Sequence, residues 1–524
     1  MKKKWYGILI SIVITLSIVL TACGSSGTPQ NDTNPTATSD GDKGSNATEP
    51  VTLSVFINMD WYWVDSFGGR PVDEEITKRT GVTLKVTKAA DENQLPILIA
   101  SGDLPDIVYN GSKKVEADLV KQCVSFNELI EKYAPDFKVE DIIIKNNTME
   151  DGKFYTIKNA YATPEEYAEK NPRFVGLPGA ATLHLRQDIM EQIGNPAINS
   201  LDDFKNVLGM VKEKFPNMNA LALRADYRSD YFKQVFGVKS GSTGVYEENG
   251  KILYQVRDPK YVETYKYMNE LYRSGYISSE SLVYKVEDFQ QDVFSGNAFS
   301  CVAATDQTGK SNEAFKKANS NYKLKILSNV LSEDYSVVSD GIGWAGPYIT
   351  KNSTKQDKAI KFIQFLRSDE GQKLACWGIE GEHYTLSSDG YPDLTPKMVE
   401  LKNDYDNMVR TVGNMAWAWV ISSKTEGVWN YNPHDQELTD WLTVVKNNYA
   451  FKPLHALVIP NGDIDESVIY KKVVDYEKVN SVKLIAAKSE AEFDSAYNDM
   501  LNKLEAMGLS KLEAWMTQKY EAIK

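Results

Sequence analysis

Residues 101–111, SGDLPDIVYNG, decide how the chain is read. Gly102 permits a tight reversal at the end of a short helix, QLPILIAS (94–101), because glycine tolerates the left-handed backbone such a turn needs. Pro105 favours extended entry, and Ile107 and Val108 supply a strand. Tyr109, Asn110 and Gly111 are then left at its carboxyl end. Ligands of open α/β sheets collect outside the carboxyl ends of strands. Tyr109 and Asn110 are therefore candidate binding residues, with the shaping of a turn as the alternative.

Working outward, VTLSVFIN (51–58) is a β-branched, apolar run that reads as a buried strand. PVDEEITKRTG (71–81) has Pro71 in a first helical turn and Gly81 past the last one. VTLKVTK (82–88) sets Val82, Leu84 and Val86 on one face, a second strand. Strand, helix, strand, helix and strand within about 60 residues imply a parallel sheet. FNELIEKYAP (126–135) follows a capping box at Ser125 and Glu128.

A second set of elements starts near TLHLRQDIMEQIGN (182–195). In SLDDFKNVLGMVKEKFP (200–216), Leu201, Phe204, Leu208 and Val211 share one helical stripe behind the cap Ser200. ALALRAD (220–226) reads as a buried strand, and Asn249-Gly250 in YEENGKILYQV (246–256) as a hairpin turn. Helices are expected over 258–275, 357–368 and, behind a Ser489/Glu492 capping box, 489–508. No fixed-period repeat or coiled coil is present. The fold class is α/β, with two assemblies and a helical C-terminal end.

At the other end, Lys2, Lys3 and Lys4 precede a mostly apolar segment, Trp5 to Leu20, as in an export signal; an uncleaved anchor is the competing reading. Leu20, Thr21, Ala22 and Cys23 resemble the lipobox of bacterial lipoproteins, which implies cleavage after residue 22 and a diacylglyceryl group on Cys23, two chains being enough to anchor a protein. Residues 24–50 are Gly, Ser, Thr, Asn, Asp and Pro-rich and lack aromatics, so 23–50 read as a lipidated, disordered tether. The chain would then sit on the extracellular face of a cell membrane.

Residues 51–524 exceed what a single core usually serves, so two lobes are expected. Across 524 residues, 59 Lys and Arg stand against 72 Asp and Glu; without the three signal lysines the net charge is −16, which disfavours nucleic acid as a partner. Apart from Cys23 there are three widely spaced cysteines, Cys123, Cys301 and Cys376, which imply buried thiols and no disulfide framework. The four histidines have no metal-ligand spacing, and no metal or cofactor is expected.

Several stretches together resemble the extracellular solute-binding proteins of ABC importers, the family that includes maltose-binding protein, and in particular long Gram-positive lipoproteins that capture oligosaccharides. They are EEITKRTGVTLKV, LIASGDLPDIVY, LHLRQDIMEQIG, SLDDFKNVLGMVKEKFP, MNELYRSGYIS, VFSGNAFSCVA, KAIKFIQFLRSDEGQKLACWGIEGEHYTL and the helix 489–508. The resemblance implies a two-lobed periplasmic-binding-protein-like fold that closes about a hinge. By analogy lobe one holds residues 51–175 plus 322–385, and lobe two 176–321 plus 386–524. It also implies an oligosaccharide ligand, ABC permease subunits as partners, attachment to the membrane through the lipid, a monomer, and no enzymatic chemistry. The rival readings are a surface-tethered glycoside hydrolase or lyase, which needs a pair of carboxyls around the scissile bond, and a peptide receptor on the same fold.

Sugars need flat apolar surfaces for their CH faces and polar groups for their hydroxyls. NMDWYWVD (58–65) offers Asp60, Trp61 and Trp63 just beyond the first strand, at the expected cleft edge. LRADYRSDY (223–231) resembles the family segment that lends an aromatic and a charged residue to the cleft, which points to Arg224 and Tyr227. AATDQT (303–308) places Asp306 and Gln307 after a strand, and GIGWAGPY (341–348) sets Trp344 and Tyr348 in lobe one. GNMAWAWVIS (413–422) adds Trp417 beside Trp419, for which helical core packing is the competing explanation.

Overall fold

The computed structural model describes residues 50–149, 151–169, 180–340, 343–402, 404–431, 436–462 and 464–524. The signal segment 1–22, Cys23 and nearly all of the tether 23–50 lie outside the described residues.

The expected opening pattern is present. Val51–Ile57 pairs in parallel with Val82–Lys88 on one side and with Ile107–Asn110 on the other. Gly81 closes the helix Pro71–Thr80 at φ 65°, and Gly102 closes Gln94–Ser101 at φ 73°. A fourth strand, Gly346–Ile349, joins the same sheet antiparallel to Ile107–Asn110, with Pro347 opposite Tyr109. The second sheet runs in the order Asn219–Leu223, Ala298–Ala304, Ala181–Arg186, Leu324–Ile326; the first pair is parallel and the others antiparallel. Asn249 and Gly250, at φ 53° and 79°, turn the hairpin between Val245–Glu248 and Lys251–Tyr254, the left-handed pair that such a two-residue loop requires.

Ser125 and Ser489 each accept a backbone N–H three residues on, from Glu128 and Glu492. The glutamates turn elsewhere: Glu128 pairs with Lys153 at 2.6 Å, and Glu492 accepts the N–H of Lys488. Local sequence chose the caps, and a better donor took the returning carboxylate.

Each sheet has its own core. The first gathers Leu53, Val55 and Ile57 with Ile360, Ile363, Met408, Trp417, Trp419 and Trp429. The second gathers Leu183, Leu221 and Val302 with Tyr261, Met268, Trp441, Leu484, Met500 and Met516. The chain therefore passes between lobes three times, between residues 169 and 180, between 326 and 346, and between 431 and 436. This differs from the division expected at 321/322 and 385/386. Leu324–Ile326 is an edge strand of sheet two, and residues 398–429 return to lobe one, where the Trp417 indole N–H donates to Asp73 at 2.6 Å. Among the described residues no helix is long and apolar enough to cross a membrane.

Candidate functional site

The carboxyl ends of the two sheets build the site. In lobe one the first strand ends at Asn58, whose amide donates to Asn110 Oδ1 at 2.8 Å. Asn110 also holds the backbone of Ser112 through both ends of its amide, so it is buried and fully engaged. Tyr109 stacks on Trp419 at 5.1 Å and accepts a hydrogen bond from Asn159; it too is buried. Trp417 is enclosed by Trp419, Phe67 and Arg70. These three sequence candidates form the floor beneath the surface.

The loop after the first strand then alternates. Tyr62 and Val64 turn inward, with the Tyr62 hydroxyl donating to Ala416 O, while Asp60, Trp61 and Asp65 face outward. Trp61 is 54% exposed, and Trp344, 44% exposed, lies 5.9 Å from it at 32°. Trp344 covers Gly111, where any Cβ would meet the indole at 3.0 Å. From Trp61 the aromatic surface continues to Trp63 at 5.4 Å and on to Tyr405, again at 5.4 Å. Four rings, Trp344, Trp61, Trp63 and Tyr405, thus form one strip, and the absence of a side chain at Gly111 makes room for its first member.

Lobe two presents charge. Arg224 ends the strand Asn219–Leu223, pairs with Asp226 at 2.9 Å and lies 5.3 Å from the Tyr227 ring. Burial pushes the Tyr227 phenol up to about 12, so it stays a hydroxyl. Arg228 beside it keeps a buried Nε without a hydrogen-bond partner. Asp306, exposed after the strand Ala298–Ala304, pairs with Lys310 at 2.7 Å, whereas Gln307 is buried against Ser311. His184 lies under this turn, with Nδ1 2.7 Å from the Thr308 hydroxyl and Nε2 3.2 Å from the Ala304 carbonyl. Burial drives its pKa down to about 4. The imidazole is neutral and donates from Nε2, which orients the loop that carries Asp306.

The two faces meet at Tyr405. Lys317, on the helix that follows Asp306, pairs across the lobes with Asp404 at 3.3 Å. The Tyr405 phenol is raised first by burial, then by Glu426 of lobe one and, more weakly, by Asp306 of lobe two. Tyr405 and Arg228 escape a reading of the sequence. Tyr405 lies in the segment whose return to lobe one no local periodicity announces, and Arg228 is marked only by its closeness to Arg224.

The model of a family described as bacterial extracellular solute-binding protein matches residues 72–379, more than half of the chain. Lipoprotein LipO of Bacillus subtilis is 23% identical over 368 residues, 65% of this chain and 69% of that one. Among solved structures, the alginate-binding protein AlgQ2 without calcium ion superposes with a TM-score of 0.64 at 19% identity, covering 92% of this chain and all of that one. FusA of S. pneumoniae in complex with kestose gives 0.64 at 16% identity over 90% and 99%. A solute-binding protein of Bifidobacterium longum infantis associated with an HMO-binding ABC transporter gives 0.63 at 13% over the same shares. At such identities the likeness fixes the fold, two lobes of mixed α/β structure.

Proposed function

The chain belongs to the family of bacterial extracellular solute-binding proteins, and we propose that it captures an oligosaccharide between its lobes and hands it to an ABC permease without changing it. The observation that carries the sugar reading is the strip Trp344, Trp61, Trp63 and Tyr405, outward-facing at its Trp344 and Trp61 end. Flat apolar rings in series match the CH faces of successive sugar units, and such exposure of indoles is costly unless something covers them. Asp60, Arg224, Tyr227 and Asp306 would bind hydroxyls around it. Tyr109, Asn110 and Trp417 would hold the floor. The names of AlgQ2, FusA and the HMO-associated protein, all concerned with carbohydrates, support the same class.

We propose further that Cys23 carries the lipid and residues 24–50 the leash, a reading supported by the lipobox-like LTAC and by the relation to a Bacillus lipoprotein. The test is a thermal-shift screen of the full chain in detergent against neutral, acidic and amino oligosaccharides, with chromatography of each mixture afterwards. A higher melting temperature with the sugar recovered intact is the expected result, since a ligand bound only by the native state stabilises by mass action. A cleaved sugar, or no shift with any sugar, overturns it.

A further inference from the structure

Lobe two carries a charge to which nothing above assigns a role. Arg228 is part-buried, its Nε is shut off from water, and its guanidinium has no hydrogen bond or ion pair among the described residues. An arginine does not discharge by losing its proton, so a guanidinium drawn out of water is costly unless an anion meets it. Burial pushes it below its ordinary value, and only the Tyr265 phenol acts the other way.

The backbone fixes its place. The Arg224 N–H donates to the Val302 carbonyl at 3.2 Å, the Tyr227 N–H to the Arg224 carbonyl at 3.0 Å, and the Asp230 N–H to the Tyr227 carbonyl at 3.0 Å. The hydroxyl of Ser229, next in the chain, accepts from Tyr265 at 3.0 Å and ties the turn to the helix Pro259–Arg273. Arg228 therefore stands in a pinned turn outside the carboxyl ends of two parallel neighbours, Asn219–Leu223 and Ala298–Ala304, where open α/β sheets gather their ligands.

The other charges of this rim cancel one another. Arg224 faces Asp226 at 2.9 Å, Lys233 faces Asp230 at 3.4 Å, and Lys310 faces Asp306 at 2.7 Å. Arg228 is the cation left over. Its surplus is positive in a chain where 59 basic residues stand against 72 acidic ones, so it does not follow from composition.

We propose that Arg228 receives the carboxylate of a uronic acid unit, and that the ligand is an acidic oligosaccharide whose charged unit lies against lobe two. This rests on the oligosaccharide reading above and deepens it. The planar fork of a guanidinium offers a carboxylate two parallel N–H groups, and one carboxylate matches one unpaired charge. The uncharged units fall to the rings of lobe one, because the loop of Trp61 also carries the outward-facing Asp60 and Asp65, which repel a second carboxylate.

The experiment is calorimetric titration of the full chain in detergent with trimers of galacturonate, mannuronate and glucuronate, each beside its carboxyl-reduced, uncharged counterpart. The expected result is that one uronate trimer binds roughly tenfold or more tighter than its reduced counterpart. Arg228→Gln should lose roughly tenfold to a hundredfold for that trimer, and Arg228→Lys, which keeps the charge without the fork, should lose less; the reduced counterpart should bind both variants as it binds the wild type. Because the glutamine relieves an uncompensated charge, that variant should melt no lower than the wild type without sugar, which separates lost contact from lost folding. Reduced trimers that bind as tightly as the uronates, or an equal loss for both in Arg228→Gln, overturn the inference while leaving the receptor reading in place. No binding of any trimer, charged or reduced, overturns both.

Discussion

The two edges of the cleft are built from opposite materials. Lobe one offers four rings in a row over a floor whose polar atoms are largely spent on one another: Asn58 on Asn110, Tyr62 on Ala416, Trp419 on Tyr62. Lobe two offers arginine, aspartate and phenol on loops whose partners are exposed or incomplete, such as Asp226 and Lys310. The first is rigid and gives area; the second is polar and gives direction. In the proposed receptor, a hinge closing one on the other would separate what holds a sugar from what recognises it.

The sharpest way to break that division is Trp417→Ala. If the floor is structural, lobe one loses about 3–5 kcal/mol, the usual cost of emptying a buried indole site, read by denaturant unfolding. A variant that keeps its stability and loses sugar binding would move Trp417 to the surface of the cleft. Next is acid. His184 is at about 4 in the fold against an ordinary value near 6.5, so the unfolded chain binds the extra proton between those values and stability falls as pH drops through them. Its share is about 3 kcal/mol, and it belongs to lobe two; His184→Gln should make melting less steep between pH 6.5 and 4. The double variant Trp61→Ala, Trp344→Ala should lose on the order of a hundredfold in sugar affinity with melting unchanged, since both rings are exposed. Arg224→Ala should cost roughly tenfold, measured by the same titration; a loss equal to that of the tryptophans would erase the contrast between the edges.

Much of this is readable in the sequence alone. The parallel order of the first sheet follows from strands and helices that alternate within about 60 residues, and Gly81, Gly102 and Asn249-Gly250 mark their own turns. Trp61 announces itself by the difficulty of burying three consecutive aromatics in one loop. The return of residues 398–429 to lobe one is hidden. Its short helices have few turns in which to show a stripe, and Trp417 and Trp419 lie in irregular chain with partners 344 and 357 residues away.

The three crossings also set a timetable. Sheet one lacks its edge strand Gly346–Ile349 and the tryptophans of 417–429 until the first span of lobe two has passed, and lobe two lacks Met500, Leu504 and Met516 until the last two helices are made. A chain grown from its N-terminus can close neither lobe early, and the contacts it waits for are of long sequence separation and slow to form. Synthesis therefore delivers an unfinished polypeptide almost to its final residue, the condition that the export proposed for this chain would require.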